Sequence, residues 1–146
     1  MTVFRKLEDG VLVAGQLTEA DLEEAARQGI SVIINNRPDG EAPGQPASAG
    51  LEAKARELGL KYVYMPVVSG RLTPEQVEAF AGELDAAGGD MLAFCRTGNR
   101  CACLWGLARA ASGGEPEELA EAAAEAGYDL SGLLPLMEEL SGRTRG

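Results

Sequence analysis

Between residues 30 and 111, short apolar runs alternate with segments of helical period, and this alternation limits the architecture more than any other feature of the chain. Ser31-Val32-Ile33-Ile34-Asn35 is a β-branched run of buried-strand length. A helical pattern follows over 47–58 and stops at Gly59, and 61–66 reads as the next strand. Leu72-Thr73-Pro74-Glu75-Gln76-Val77 carries the signals of a helix start: a Thr cap, Pro at the first position, Gln completing a capping box, and a Leu72/Val77 staple. That helix is predicted to run to about residue 87, where Gly88-Gly89 ends it. Met91-Leu92-Ala93-Phe94 then reads as a short buried strand and 100–111 as an Ala/Leu-rich helix. Strands alternating with helices pair in parallel through right-handed crossovers. The expected fold class is therefore α/β, a central, mainly parallel sheet with helices on both faces.

The flanks fit around that unit. Residues 4–14 place apolar side chains on either side of Glu8-Asp9-Gly10 and predict a small β-hairpin or two edge strands. Thr18 and Asp21 make a capping-box-like pair, with Leu17 and Leu22 spaced as a staple, so a helix begins there and closes at Gly29. Helical patterns at 116–126 and 131–140 form a C-terminal helical segment, about 115–140. With no internal repeat and no long linker, residues 1–146 read as one domain.

Charge and cysteine usage narrow the function classes. Asp and Glu number 23 against 13 Lys and Arg, a net charge of −10. Nucleic acid and anionic membrane are poor partners for such a chain, because both associations run on Lys and Arg neutralising phosphate. The first six residues lack the apolar stretch of a secretory signal, and no run approaches the ~18 apolar residues of a membrane span. All three cysteines lie within 95–103, an odd and clustered set that predicts reduced thiols in the cytoplasm. Histidine is absent, which excludes Cys-His dyads, Ser-His-Asp triads and imidazole-ligated metals. Cys95, Cys101 and Cys103 have poor spacing for a metal, so neither metal nor cofactor is expected. Nothing in the sequence points to an oligomeric state.

The chemistry-bearing stretch is Cys95-Arg96-Thr97-Gly98-Asn99-Arg100-Cys101. It places a sulfur where a strand hands over to a helix. Unpaired N–H groups and the helix dipole at such a point lower a thiol's pKa and cradle an anion. Cys95 is thus the candidate nucleophile, with Arg96, Thr97, Gly98, Asn99, Arg100 and Cys101 as the anion-binding loop. Arg100, in the first helical turn, is placed to fold its planar fork over an anion. Cys101 reads as a small packing residue, with a resolving thiol as the alternative. Cys103 and Trp105 read as core.

A second candidate is the loop 36–46, with three prolines and two glycines in eleven residues. Its Arg37, Asp39 and Glu41 leave a strand end in the same sheet and are expected to face Cys95, with Arg37 and Glu41 as a substrate loop. Asp39, or else Glu41, is a candidate general acid.

Taken together, Val13-Ala14-Gly15-Gln16-Leu17-Thr18, Ile33–Glu41, Pro43-Gly44-Gln45-Pro46, Leu72–Val77, Cys95–Arg100 and Ala126-Gly127-Tyr128-Asp129-Leu130 resemble the bacterial phosphatase-like domain of beta-lactamase-hydrolase-like proteins. Members of that family are also described as sulfur transferases. The resemblance covers nearly all of 4–140 and implies the fold of dual-specificity protein phosphatases, with a nucleophilic cysteine loop. Typical cysteine phosphatases carry His before the Cys, Gly three residues after it and Arg six after it. Here Phe94 stands for the His, Gly98 fits, Cys101 occupies the sixth position, and Arg100 comes one residue early. Those enzymes also take an acid from the loop after the preceding strand, where this chain has Pro66-Val67-Val68-Ser69-Gly70-Arg71 and no carboxylate. The run Cys95–Arg100 is instead similar to the active loop of rhodanese sulfurtransferases, whose Cys carries a persulfide.

Three functions follow as expectations. The first is hydrolysis of a small anionic phosphate ester by Cys95, with activated aryl leaving groups favoured. The second is sulfur transfer from a sulfane-sulfur donor through a Cys95 persulfide. The third is a non-catalytic anion-binding or redox module.

Overall fold

The computed structural model describes residues 2–145. In chain order it contains β1 (Arg5–Glu8), β2 (Val11–Ala14), α1 (Glu19–Arg27), β3 (Ile30–Asn35), α2 (Ser48–Glu57) and β4 (Lys61–Tyr64). There follow α3 (Pro74–Ala86), β5 (Asp90–Phe94), α4 (Asn99–Ala111), α5 (Pro116–Glu125), a 3-10 turn (Ser131–Leu133) and α6 (Leu134–Arg145). Thr18 and Thr73 both form the capping boxes read from the sequence, with Asp21 and Gln76 as the reciprocal partners. α6 continues beyond the expected end at residue 140. No helix among the described residues is long and apolar enough to cross a membrane.

The five strands form one sheet in the order β1-β2-β5-β3-β4. β2, β5, β3 and β4 are mutually parallel, and β1 is antiparallel to β2. Of the two readings of residues 4–14, the hairpin is the one found, and of its two strands β1 alone lies at an edge of the sheet. β2 lies inside the sheet, paired with β1 on one side and β5 on the other, and its Val13 and Ala14 are buried on opposite faces.

Period-2 alternation divides the interior in two. Val11, Val13, Val32, Ile34, Met91 and Ala93 point to one face, where helices α3 to α6 pack. Ala14, Ile33, Leu92 and Phe94 point to the other, under α1 and α2. Cys95 continues the parity of Met91 and Ala93 and so projects to the four-helix face. Glu8 ties that face to the edge strand, accepting from Trp105 Nε1 at 2.9 Å and from Arg109 Nε at 2.7 Å.

Strand order also places the site. β5 sits between β2 and β3. Its connection turns into α4 on one face, whereas β2 and β3 lead into α1 and α2 on the other. In open α/β sheets, ligand sites are found at the carboxyl ends of neighbouring parallel strands whose connections diverge in this way. Cys95 is the residue at that point.

Candidate active site

Cys95 leaves β5 with its N–H donated to Ala14 O, and the chain then curls through residues 96–98 into α4. Gly98 holds φ at +95° as the N-cap of α4, a conformation that strains any residue with a Cβ. The turn aims the Gly98 N–H back at Cys95 Sγ, 3.1 Å away. Neighbouring strand ends brace the loop, with Gln16 N–H donating to Arg96 O and Asn36 N–H to Phe94 O at 2.8 Å.

The Cys95 thiol is lowered from its ordinary 9.0 to about 5. The largest cause is a hydrogen bond from the Cys101 thiol, followed by backbone N–H groups of Cys101, Thr97 and Gly98, all working against burial. Cys101 is fully buried and, facing the Cys95 thiolate, is pushed well above its ordinary range. It therefore stays protonated and serves as donor. Burial and the Cys95 charge raise the Cys103 thiol too, so one sulfur of the three carries the negative charge.

Arg100 lies on the expected turn, but its fork is engaged with protein. Nη1 is 2.7 Å from Glu41 Oε2 and 2.9 Å from Val67 O, and Nη2 is 2.8 Å from Glu41 Oε1. Glu41 also accepts from Arg37 Nε at 3.0 Å, and Arg37 Nη1 donates to Gln16 Oε1 at 2.9 Å. The Arg100 hydrogen bonds, with Arg37 behind them, hold the Glu41 carboxyl below its usual value, against burial. A carboxylate kept ionised between two guanidinium groups cannot donate a proton at neutral pH.

The loop after β3 therefore does meet the cysteine loop, through Arg37 and Glu41. Asp39 is used elsewhere: Oδ1 accepts the Ser48 N–H at 2.8 Å, closing the first turn of α2. Its own N–H donates to Tyr64 Oη at 2.9 Å. Arg96 and Thr97 expose their side chains, and Thr97 Oγ1 accepts from the Asn99 N–H at 3.3 Å. Cys103 lines an apolar groove of about 780 Å³ with Leu72, Val77, Leu107, Leu133 and Leu136, between α3, α4 and α6.

Sequence reasoning missed three participants. Gln16 and the Val67 carbonyl lie at the carboxyl ends of β2 and β4, and strand order is what brings them beside the loop. The third is Tyr128, whose hydroxyl donates to Thr97 O at 3.1 Å from beyond α5. Gln16 follows a Gly at a strand end and carried a weak signal; Tyr128 carried none beyond its place in a matched segment.

The architecture defined by this sheet and strand-to-helix loop is that of the protein phosphatases of the tyrosine and dual-specificity kind. Its fold matches kinase-associated phosphatase at a TM-score of 0.78 over 100% of this chain and 96% of that one, with 13% identity. A candidate phosphatase from Neisseria meningitidis matches at 0.83, with 35% identity over 93% of this chain and 96% of that one. Residues 3–112 match the family described as the phosphatase-like domain of beta-lactamase hydrolase-like proteins, and the chain belongs to that family. Beta-lactamase hydrolase-like protein of Xylella fastidiosa strain 9a5c is 32% identical over 133 residues, 90% of this chain but 31% of the relative. The chain thus spans about a third of the length of that curated relative.

Proposed function

We propose that Cys95 is the nucleophile of a group-transfer reaction on a small anionic substrate, and that the transferred group is a sulfane sulfur. One observation carries the choice: three N–H bonds of the Arg100 fork are committed to Glu41 and Val67 O, and main-chain N–H groups with the Cys101 thiol form the cradle around Cys95. Phosphoryl transfer calls for fixed cations on the equatorial oxygens and, for ordinary esters, a proton for the leaving group. Here Glu41 presents a negative charge beside the arginine, and Asp39 is tied to α2. Sulfur transfer needs neither an acid nor a free guanidinium.

The steps balance without an external oxidant or reductant. Cys95–S⁻ attacks the outer sulfur of a donor such as thiosulfate; a new S–S bond forms, the donor S–S bond breaks, and sulfite leaves as the dianion. The product Cys95–S–S⁻ carries one negative charge at the amide cradle. An acceptor thiolate then takes the outer sulfur and returns Cys95–S⁻.

Hydrolysis of activated aryl phosphates is the second reading, supported by the phosphatase-like family and fold. In it Cys95–S⁻ attacks phosphorus, the aryl oxide leaves unprotonated, and water releases phosphate from phosphocysteine. Intact-mass spectrometry separates the two. Thiosulfate should add one sulfur atom to the wild type and nothing to Cys95→Ser, whereas an aryl phosphate should leave trapped phosphocysteine if hydrolysis is the reaction. Absence of both adducts, with Cys95 inert to iodoacetamide at acid pH, would leave a non-catalytic anion-binding module.

A further inference from the structure

Helix α5 ends in a way that its sequence dictates, and the ending aims one side chain at the cysteine loop. Gly127 takes φ +99°, its N–H donates to Ala124 O at 3.0 Å, and the Tyr128 N–H donates to Ala123 O at 2.8 Å. This double bond pattern closes a helix on a left-handed Gly and turns the next residue back over the last turn. Arg5 Nη1 fixes the same corner by donating to Ala126 O at 3.3 Å. Tyr128, 8% exposed, then lies against the anion-binding loop. A Cβ at Gly98 would come within 2.8 Å of Tyr128 Cζ, so the ring occupies the space that a side chain at 98 would need.

The Tyr128 hydroxyl donates to Thr97 O at 3.1 Å, and the Gly98 N–H donates to Cys95 Sγ at 3.1 Å. Thr97 O and Gly98 N belong to the same peptide unit. In a trans peptide C=O and N–H point in opposite directions, so fixing the oxygen fixes the hydrogen. Polarising the carbonyl also strengthens the amide as a donor. We propose that Tyr128 is a positioning residue for the reaction, holding the Thr97–Gly98 peptide so that its N–H stays on the Cys95 sulfur. The inference rests on the reading of Cys95 as the reacting thiolate. Burial pushes the Tyr128 phenol up, which keeps it a donor across the working range of pH.

Tyr128→Phe removes the hydroxyl and keeps the ring against Gly98. The pH midpoint of Cys95 alkylation by iodoacetamide, followed by peptide mass spectrometry, should rise by about half a unit to one unit. The melting temperature should move little. An unchanged midpoint would overturn the proposal. Amide hydrogen exchange gives a second measurement that does not depend on thiolate chemistry. In a Cys95→Ser background, adding Tyr128→Phe should speed exchange at Gly98, and unaltered protection there would equally overturn it. If the wild-type thiol itself proves inert at acid pH, the catalytic reading fails, and the exchange result still decides the clamp.

Discussion

Arg100 and Glu41, 59 positions apart in sequence, meet in a two-point ion pair at 2.7 and 2.8 Å. The pair joins the loop after β3 to the first turn of α4, and the Val67 carbonyl adds the loop after β4 to the same guanidinium. Three connections at the carboxyl edge of the sheet are thus gathered on one cation. Any anion seeking that cation competes with a carboxylate already seated on it.

Glu41→Gln tests this competition directly. Arg100 is 8% exposed, so removing the carboxylate charge leaves a largely buried cation poorly paired and should cost about 1–3 kcal/mol of stability. The freed fork should in turn bind anions more strongly. Thermal denaturation with and without thiosulfate should show a lower melting temperature and a larger ligand-induced rise than in the wild type. An unaltered ligand response would mean that the guanidinium does not reach the anion.

The same pair sets an acid limb of stability. Arg100, with Arg37, depresses the Glu41 carboxyl below its ordinary 4.5. A depressed carboxyl contributes stability that is fully present above the unfolded value and is lost as pH falls through the lower folded value. Urea unfolding between about pH 3 and pH 6 should show the wild type weakening below about pH 4.5. Glu41→Gln should flatten that part of the curve.

Cys101→Ala and Cys101→Ser distinguish a donor from a packing residue. The Cys101 thiol is the leading cause of the Cys95 shift to about 5. Alanine removes the donor and should raise the alkylation midpoint of Cys95 by about one unit, with a small cavity cost of about 1 kcal/mol. Serine, with a hydroxyl in place of the thiol, should hold the midpoint nearer the wild-type value. Equal midpoints in all three proteins would assign Cys101 to packing alone.

Asp39→Ala should act on α2 and not on chemistry. Losing the acceptor for the Ser48 N–H should destabilise the protein by about 1 kcal/mol, as for other helix-start caps. The pH profile of kcat/KM for sulfur transfer should keep its shape. A vanished limb in that profile would restore Asp39 as a general acid.

The strand-to-helix order, both capping boxes and the position of Cys95 at the mouth of α4 were legible in the chain. Each depends on neighbours within a few residues, or on alternation along one segment, so local chemistry was sufficient. The loop contents were legible as residue types: a thiol, two arginines, a turn glycine, and a second loop bearing Arg37, Asp39 and Glu41.

Partner choice was not legible. Arg100 on Glu41, Asp39 on Ser48, Gln16 on Arg37 and Tyr128 on Thr97 all join segments from different connections. The insertion of β5 between β2 and β3 decides which loops become neighbours. Sequence alone fixed a sulfur at a helix N-terminus. Tertiary structure decided which groups ionise it, and that Glu41 already neutralises Arg100, because hydrogen-bonded pairing needs contact distances that only packing sets.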